Sequence, residues 1–258
     1  MDHKKILFIC DAHLGSGVNE QEKERVLIEF IKSLSPERVS ALYMLGDVFD
    51  FWFEYESVIL SPCFRVLTAL SKAVESGVEV HLIVGNHDFW AGDFLKETIG
   101  LKVHYGPIEI NLDGLRIYMC HGDGLNPHDR GYRIFKAIIR SKAIIWVARR
   151  IHPDCLMRIA RRVSKFSREG SSVAGKLRED DGIRTFALKK LQEGFDIVIA
   201  GHSHHPHDET HSIDGATKRY YNVGDMQESF SCLEYSDGRF RLKYLGQAER
   251  SAEPENAS

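Results

Sequence analysis

The chain lacks long apolar runs, paired cysteines and any large net charge, and each lack removes a class of protein. Its longest apolar run in the middle, Ala143 to Ala148, falls far short of the ~20 residues that a helix needs to span a bilayer. The protein is therefore expected to touch a membrane at most, and not to cross one. Near the start, only five apolar residues lie between Lys5 and Asp11, too few for the core of a signal peptide. Five cysteines (Cys10, Cys63, Cys120, Cys155 and Cys232) are odd in number and widely scattered, without the short paired spacings of zinc or redox motifs. Reduced, buried thiols in a cytosolic protein are the expectation. The formal net charge of -3 conceals an uneven distribution: Leu125 to Lys190 holds 17 Lys/Arg against 6 Asp/Glu, which leaves -14 on the rest. That middle segment is suited to meet an anion.

What is present is an ordinary soluble composition, 43% apolar and 28% charged over 258 residues, enough for one large domain or two small ones. Within it, short apolar runs repeatedly end in polar clusters. Lys5 to Cys10 runs into Asp11-Ala12-His13, and Ala41 to Leu45 into Gly46-Asp47-Val48-Phe49-Asp50. Between them Glu22 to Ser33 reads as an amphipathic helix, making a right-handed β-α-β unit. Phe64 to Glu75 reads as a second helix, ended by Gly77, and Val78 to Val84 leads to Gly85-Asn86-His87-Asp88. Leu115 to Cys120 leads to His121-Gly122-Asp123, and Phe195 to Ala200 to Gly201-His202-Ser203-His204. Open α/β sheets place ligands at the carboxyl ends of their strands, which is where all five clusters fall. The aromatic group Phe51, Trp52, Phe53 and Tyr55 reads as a plug beneath such a site or as a wall for an apolar substrate.

The ordered set Asp-x-His, Gly-Asp-x-x-Asp, Gly-Asn-His-Asp, His-Gly-Asp and Gly-His-x-His resembles the calcineurin-like metallophosphoesterase superfamily, over the chain up to about Gly224-Asp225. The resemblance implies an α/β fold, a two-sheet β-sandwich flanked by helices. It also implies two divalent metal ions, Asp11, His13, Asp47 and His204 holding one, and Asp47, Asn86, His121 and His202 the other. Asp47 would bridge them. A mixed nitrogen and oxygen donor set without thiolates favours manganese, with iron or zinc as alternatives. Such a pair binds a phosphorus centre through its oxygens and activates water for in-line attack. His87 would stand near the leaving oxygen as acid or electrostatic stabiliser, while Asp50, Asp88 and Asp123 would orient the ligands. His205 and His207 read as the exit of a polar loop.

The long connection between His121 and Gly201 decides the substrate. The expected organisation is a first core part at 1–124, a helical lid at 125–193, a second core part at 194–246 and a disordered tail at 247–258. In the lid, Tyr132 to Ile151 and Met157 to Arg168 interleave large aliphatics with Arg and Lys, the pattern of a helix at an anionic lipid surface or of one packed on the core with a basic outer face. Leu45-Gly46-Asp47-Val48-Phe49-Asp50-Phe51-Trp52, His121-Gly122-Asp123-Gly124-Leu125 with Asp129 and Tyr132, Arg158-Ile159-Ala160 leading to Ser167, and Gly201-His202-Ser203-His204 with Pro206 look like the UDP-2,3-diacylglucosamine hydrolases of lipid A biosynthesis. That resemblance implies pyrophosphate cleavage to UMP and 2,3-diacylglucosamine 1-phosphate at the cytoplasmic face of the bacterial inner membrane. Asn86, His87, Asp129, Tyr132, Arg162, Lys165 and Ser167 would contact the acylated UDP-sugar. One position departs from the best-known branch, which has Arg where this chain has His87. A metallophosphoesterase acting on a nucleotide, a phosphodiester or nucleic acid, or a non-enzymatic interaction module, are the alternatives. The basic residues alternate with aliphatics rather than stacking aromatics, which argues against nucleic acid. Lys218 to Val223, Phe230 to Tyr235 and Arg239 to Tyr244 read as strands completing a second sheet.

Overall fold

Alternation along the apolar strands decides the layering. In β1 (Lys5–Ile9) successive side chains point to opposite faces, so Leu7 and Ile9 join one buried cluster and Phe8 another. β2 (Val39–Met44) repeats this, with Leu42 and Met44 on the first side and Ala41 and Tyr43 on the second. Strands buried on both faces need cover on both. On one side the cover is α1 (Glu20–Lys32) and α2 (Phe64–Glu75), which bury Leu27, Ile31, Val66 and Leu70 against the sheet. On the other side it is a second sheet.

The computed structural model describes residues 4–17, 19–126, 130–170 and 173–245, with only the backbone described at 130, 165–170 and 173–176. The tail expected at 247–258 and Asp129 lie outside the described residues. The first sheet has six strands in the order β11-β10-β1-β2-β3-β4, with β3 at Glu79–Ile83, β4 at Lys102–His104, β10 at Ser231–Ser236 and β11 at Arg239–Tyr244. The second has five in the order β5-β6-β7-β9-β8, formed by Ile108–Leu112, Leu115–Met119, Ile197–Ala200, Ala216–Asn222 and His207–Ile213 for β5, β6, β7, β9 and β8. Phe8, Tyr43, Met119, Ile199, Tyr221 and Leu233 interlock between the sheets. β1, β2, β3 and β4 are mutually parallel, as are β6, β7 and β9. Parallel neighbours bring their carboxyl ends to one edge, and the sandwich brings the two edges together.

Three strands differ from expectation. β10 and β11 join the first sheet, not the second: β10 pairs antiparallel with β1 through Ile6 and Tyr235. All six residues of β10 are buried, and a strand buried on both faces is accommodated between β1 and β11 rather than at a solvated edge. The Asp237-Gly238 turn, with φ of 51° and 73°, is the mirror-type turn that closes a two-residue hairpin. β8 begins at His207, where a loop exit was expected. Its sequence, His-Asp-Glu-Thr-His-Ser-Ile, alternates half-buried and exposed positions as an edge strand does.

Among the described residues four helices separate β6 from β7: α3 (Arg130–Ile139), α4 (Lys142–Ala148), α5 (Pro153–Gly170) and α6 (Val173–Gln192). The stretch expected as Tyr132 to Ile151 is two helices, because Ser141 takes an extended conformation and its hydroxyl caps α4 by accepting from Ile144 N. Pro153 opens α5, where its missing N–H costs nothing. α6 packs Ile183, Ala187 and Leu191 onto the outer face of the second sheet. α4 and α5 meet the aromatic loop instead, through Ala148, Leu156 and Phe53. The aromatic group thus divides: Trp52 is core, its ring 4.6 Å from that of Phe49, while Phe53 and Tyr55 join the loop to these helices. Among the described residues no helix is long and apolar enough to cross a membrane.

Leu42 is wholly buried where β2 meets α1 and α2. Leu42→Ala is expected to lower unfolding free energy by about 2–5 kcal/mol in urea; a loss below about 1 kcal/mol would contradict the packing described.

Candidate active site

The ends of β1, β2 and β7 turn out of their sheets in a conformation that L-residues seldom adopt. Asp11, His13, Asp47, His202 and His204 all have left-handed backbone, with φ of 53°, 43°, 52°, 72° and 61°. Such strain persists only where the surroundings enforce it, and here backbone hydrogen bonds do so. Asp11 N donates to Gly46 O at 3.1 Å, His13 N to Asp47 O at 2.9 Å and Gly201 N to His121 O at 2.8 Å. The turns also need room: a Cβ on Gly85 would overlap Asp47 Oδ1, and one on Gly46 would lie 2.7 Å from His121 Nδ1.

The two central carboxylates are each pinned by one oxygen. His202 N donates to Asp11 Oδ2 at 2.7 Å and His87 N to Asp47 Oδ1 at 2.8 Å. That leaves Asp11 Oδ1 buried without a hydrogen-bond partner among the described residues, 3.6 Å from both His13 Nε2 and His204 Nε2. Asp47 Oδ2 faces three imidazoles: His121 Nε2 at 3.3 Å, His13 Nε2 at 3.8 Å and His87 Nε2 at 3.9 Å. Both ring nitrogens of His13 are likewise buried without hydrogen-bond partners among the described residues.

The histidine tautomers follow from what holds the other nitrogen. His121 Nδ1 donates to Leu45 O at 2.7 Å, and His202 Nε2 to Glu179 Oε1 at 2.7 Å. Their remaining nitrogens, His121 Nε2 and His202 Nδ1, lie 3.1 Å apart, with Asn86 Oδ1 also 3.1 Å from His121 Nε2. Lone pairs facing one another at that distance call for a cation between them. The orphaned Asp11 oxygen and His13 nitrogens make the same demand, so the donor set fits divalent metal ions. Asp11, Asp47, His121 and His202 form one group whose ligand atoms lie within 4.8 Å of one another, Asp11, His13 and His204 a second, and His13, Asp47 and His87 a third.

Protons answer that demand when no metal is there. Burial disfavours a charged His121, yet Asp47, Asp11 and Asp123 around it prevail and raise it to about 10. Burial alone would raise Asp47, but His121, His87 and His13 hold it well below the usual carboxylate range. Asp88 behaves oppositely: burial and then the neighbouring Asp47 charge push it up to about 6. Its oxygens accept from Gly85 N at 2.7 Å and Val48 N at 2.9 Å, bracing the turns that carry Asn86 and Asp47.

The structure brings Asp11, His13, Asp47, Asn86, His87, His121, His202 and His204 into one crevice. Tyr132 reaches its margin, its hydroxyl donating to Asp123 Oδ2 at 3.0 Å, and Lys136 pairs with the same carboxylate at 2.5 Å. Arg162 is exposed on α5 and not among the crevice residues. The side chains of Lys165 and Ser167 lie, like Asp129, outside the described residues. Four neighbours of the crevice were not foreseen. Ser164 donates to Asp50 Oδ1 at 3.1 Å, Glu179 holds His202, Asp225 Oδ2 stands 3.9 Å from His204 Nδ1, and the buried Lys23 ammonium donates to His13 O at 3.0 Å. Asp225 follows β9 in the same strand-end pattern as the others and was open to the same reasoning.

Residues 4–206 match the model of the calcineurin-like phosphoesterase family. Similar proteins from three bacteria each bear the name UDP-2,3-diacylglucosamine hydrolase. The Porphyromonas gingivalis protein is 33% identical over 64% of this chain and 63% of its own length. The Aeromonas salmonicida protein is 30% identical over 92% of both chains, and that of Nitrosococcus oceani is 28% identical over 91% of this chain and 92% of its own.

Because His121 is protonated at neutral pH in the metal-free site and must lose that proton to act as a ligand, manganese binding is expected to release protons and to tighten as pH rises. Calorimetric titrations in buffers of differing ionisation enthalpy measure this; proton-neutral binding between pH 6 and 8 would contradict a protonated His121 in the metal-free site.

Proposed function

This chain belongs to the calcineurin-like phosphoesterase family, and from that premise we propose that it is a metal-dependent hydrolase cleaving the pyrophosphate of UDP-2,3-diacylglucosamine to UMP and 2,3-diacylglucosamine 1-phosphate. The observation that carries the reading is the convergence of three imidazole nitrogens within 3.3–3.9 Å of one oxygen of a buried aspartate, beside helices that are both apolar and basic. The relatives' shared name supplies the substrate.

In this reading Asp11, His13, Asp47 and His204 hold one ion and Asp47, Asn86, His121 and His202 the other, with manganese the metal suited to the donors. Bound ions supply charge for the phosphoryl oxygens and lower the pKa of water. The chain's own groups do the rest. His87 Nδ1 donates to Asp50 O at 2.7 Å, which fixes the ring and leaves Nε2 toward the crevice, in place, when the ring is the doubly protonated imidazolium, to hand the Nε2 proton to the leaving oxygen or to stabilise its charge. Ser164 holds Asp50, so α5 supports that geometry. Tyr132 on α3, together with Asp129, Arg162, Lys165 and Ser167, would meet the sugar and head group.

The helices from α3 to α5 serve as the lid over the acyl chains. Ile134, Phe135, Ile138, Trp146 and Val163 are between 47% and 62% exposed, a cost that a water-facing surface would not ordinarily carry. A cavity of about 300 Å³ lies between α4 with its flanking residues and the core, lined by Phe53, Glu54, Trp90, Tyr105, Ile145, Arg140 and Arg149, apolar walls with two cations and one carboxylate. The same exposed aliphatics interleaved with Arg149 and Arg150 suit peripheral attachment to anionic lipid at the cytoplasmic face of the inner membrane.

The test is UMP release with manganese from UDP-2,3-diacylglucosamine in detergent micelles, beside UDP-N-acetylglucosamine and an aryl phosphodiester. Hydrolysis of the acylated substrate alone is expected; equal rates on all three would discard the lipid substrate while keeping the site. Ile138, Ile139 and Ile145 changed together to Ala should impair the acylated substrate far more than the deacylated one. His87→Ala should lower kcat roughly 10²–10⁴-fold with manganese affinity unchanged.

A further inference from the structure

Helix α6 is seated on the second sheet by contacts along its length. Ile183, Ala187 and Leu191 are buried against Tyr118, Val198 and Tyr220, Arg184 pairs with Glu209 at 2.8 Å, and Asp180 Oδ2 lies 3.0 Å from His207 Nε2. One turn nearer its start, α6 sends Glu179 toward the crevice, and Glu179 Oε1 lies 2.7 Å from His202 Nε2. His202 is 13% exposed in its side chain and Glu179 46%, so the carboxylate stands on the solvent side of the imidazole, with the cluster on the other.

We propose that Glu179 is a positioning residue of the metal centre, fixing the tautomer and orientation of His202 and so making α6 part of the site. A neutral imidazole has a single N–H. With that proton committed to Glu179, Nδ1 keeps its lone pair and faces His121 Nε2 at 3.1 Å. His121 is fixed in the complementary way by a backbone carbonyl, Leu45 O at 2.7 Å. One ligand of the pair is therefore oriented by the core and the other by a helix of the insertion. The two anchors differ in kind. A carboxylate makes the histidine it holds a stronger donor to metal, and loss of such a partner typically weakens affinity by 10- to 100-fold. His202 N also donates to Asp11 Oδ2 at 2.7 Å, so this residue has its backbone tied to one central carboxylate and its ring to a carboxylate on the insertion.

This inference rests on the metal-centre reading given above, and the experiment separates the two. Metal-stripped parent protein, Glu179→Ala, Glu179→Gln and Arg184→Ala are titrated with manganese by calorimetry, and their metal-free melting curves are recorded. The parent should bind two ions. Glu179→Ala should bind one as the parent does and the other roughly 100-fold more weakly; Glu179→Gln, which keeps an accepting oxygen without the charge, should lose roughly 10-fold. Arg184→Ala, which breaks another tie of α6 to the sheet, should bind both ions as the parent does. Parent-like affinity in both Glu179 variants would overturn the inference and leave the metal centre standing, and so would an equal loss in Arg184→Ala, which would mark the effect as a loosened helix. A parent that binds fewer than two ions would overturn the reading beneath it and the inference with it.

Discussion

Two carboxylates packed together away from water are the constraint on which the molecule depends. Asp11 is fully buried and Asp47 is 1% exposed, and charges so desolvated are tolerable only with compensating positive charge close by. Four histidines, His13, His87, His121 and His204, stand within 4 Å of one or other carboxylate. Imidazoles can give that compensation as protons or yield to a cation, which makes the cluster a binding site instead of a static ion-pair network. The free oxygen of each aspartate points inward because the other is held by a backbone N–H.

The fold produces this crowding from sheet geometry. Parallel β1 and β2 end side by side, so Asp11 and Asp47 follow at equivalent places, and β3, β6 and β7 deliver Asn86, His121 and His202 to the same edge of the sandwich. Five left-handed residues there carry strain of the order of 1–3 kcal/mol each, sustained by the interlocked core between the sheets. The helical connection then touches this edge from three directions: Tyr132 and Lys136 of α3 at Asp123, Ser164 of α5 at Asp50, and Glu179 of α6 at His202. An insertion coupled to the groups that orient the ligands can adjust substrate choice without altering the ligands themselves.

The strand-end clusters were legible because both signals are local: an apolar run, then Asp, His or Asn within four residues. The β-α-β start and the parallel strands followed from the same runs. β8 escaped because its alternation is between polar residues of differing burial, with no hydrophobic period to detect. The sheet to which β10 and β11 belong is a non-local choice, decided by which neighbours can bury both faces of β10. Glu179, Ser164 and Lys23 were invisible for a related reason. Each is an ordinary polar residue on a helix, where a solvent-facing position is the default, and only tertiary packing sets Lys23, 1% exposed, beneath the His13 carbonyl. Of the lid residues expected to touch substrate, Tyr132 stands at the crevice margin while Arg162 is exposed on α5.

In the proposed metal centre one carboxylate, that of Asp47, would be shared by two ions. Crystals grown with manganese test it directly through anomalous difference density. Two peaks roughly 3.5–4 Å apart flanking the Asp47 carboxylate are expected, and their loss in Asp47→Ala. A single peak, or a pair on one side of Asp47 with no contact to it, would rule out a shared Asp47.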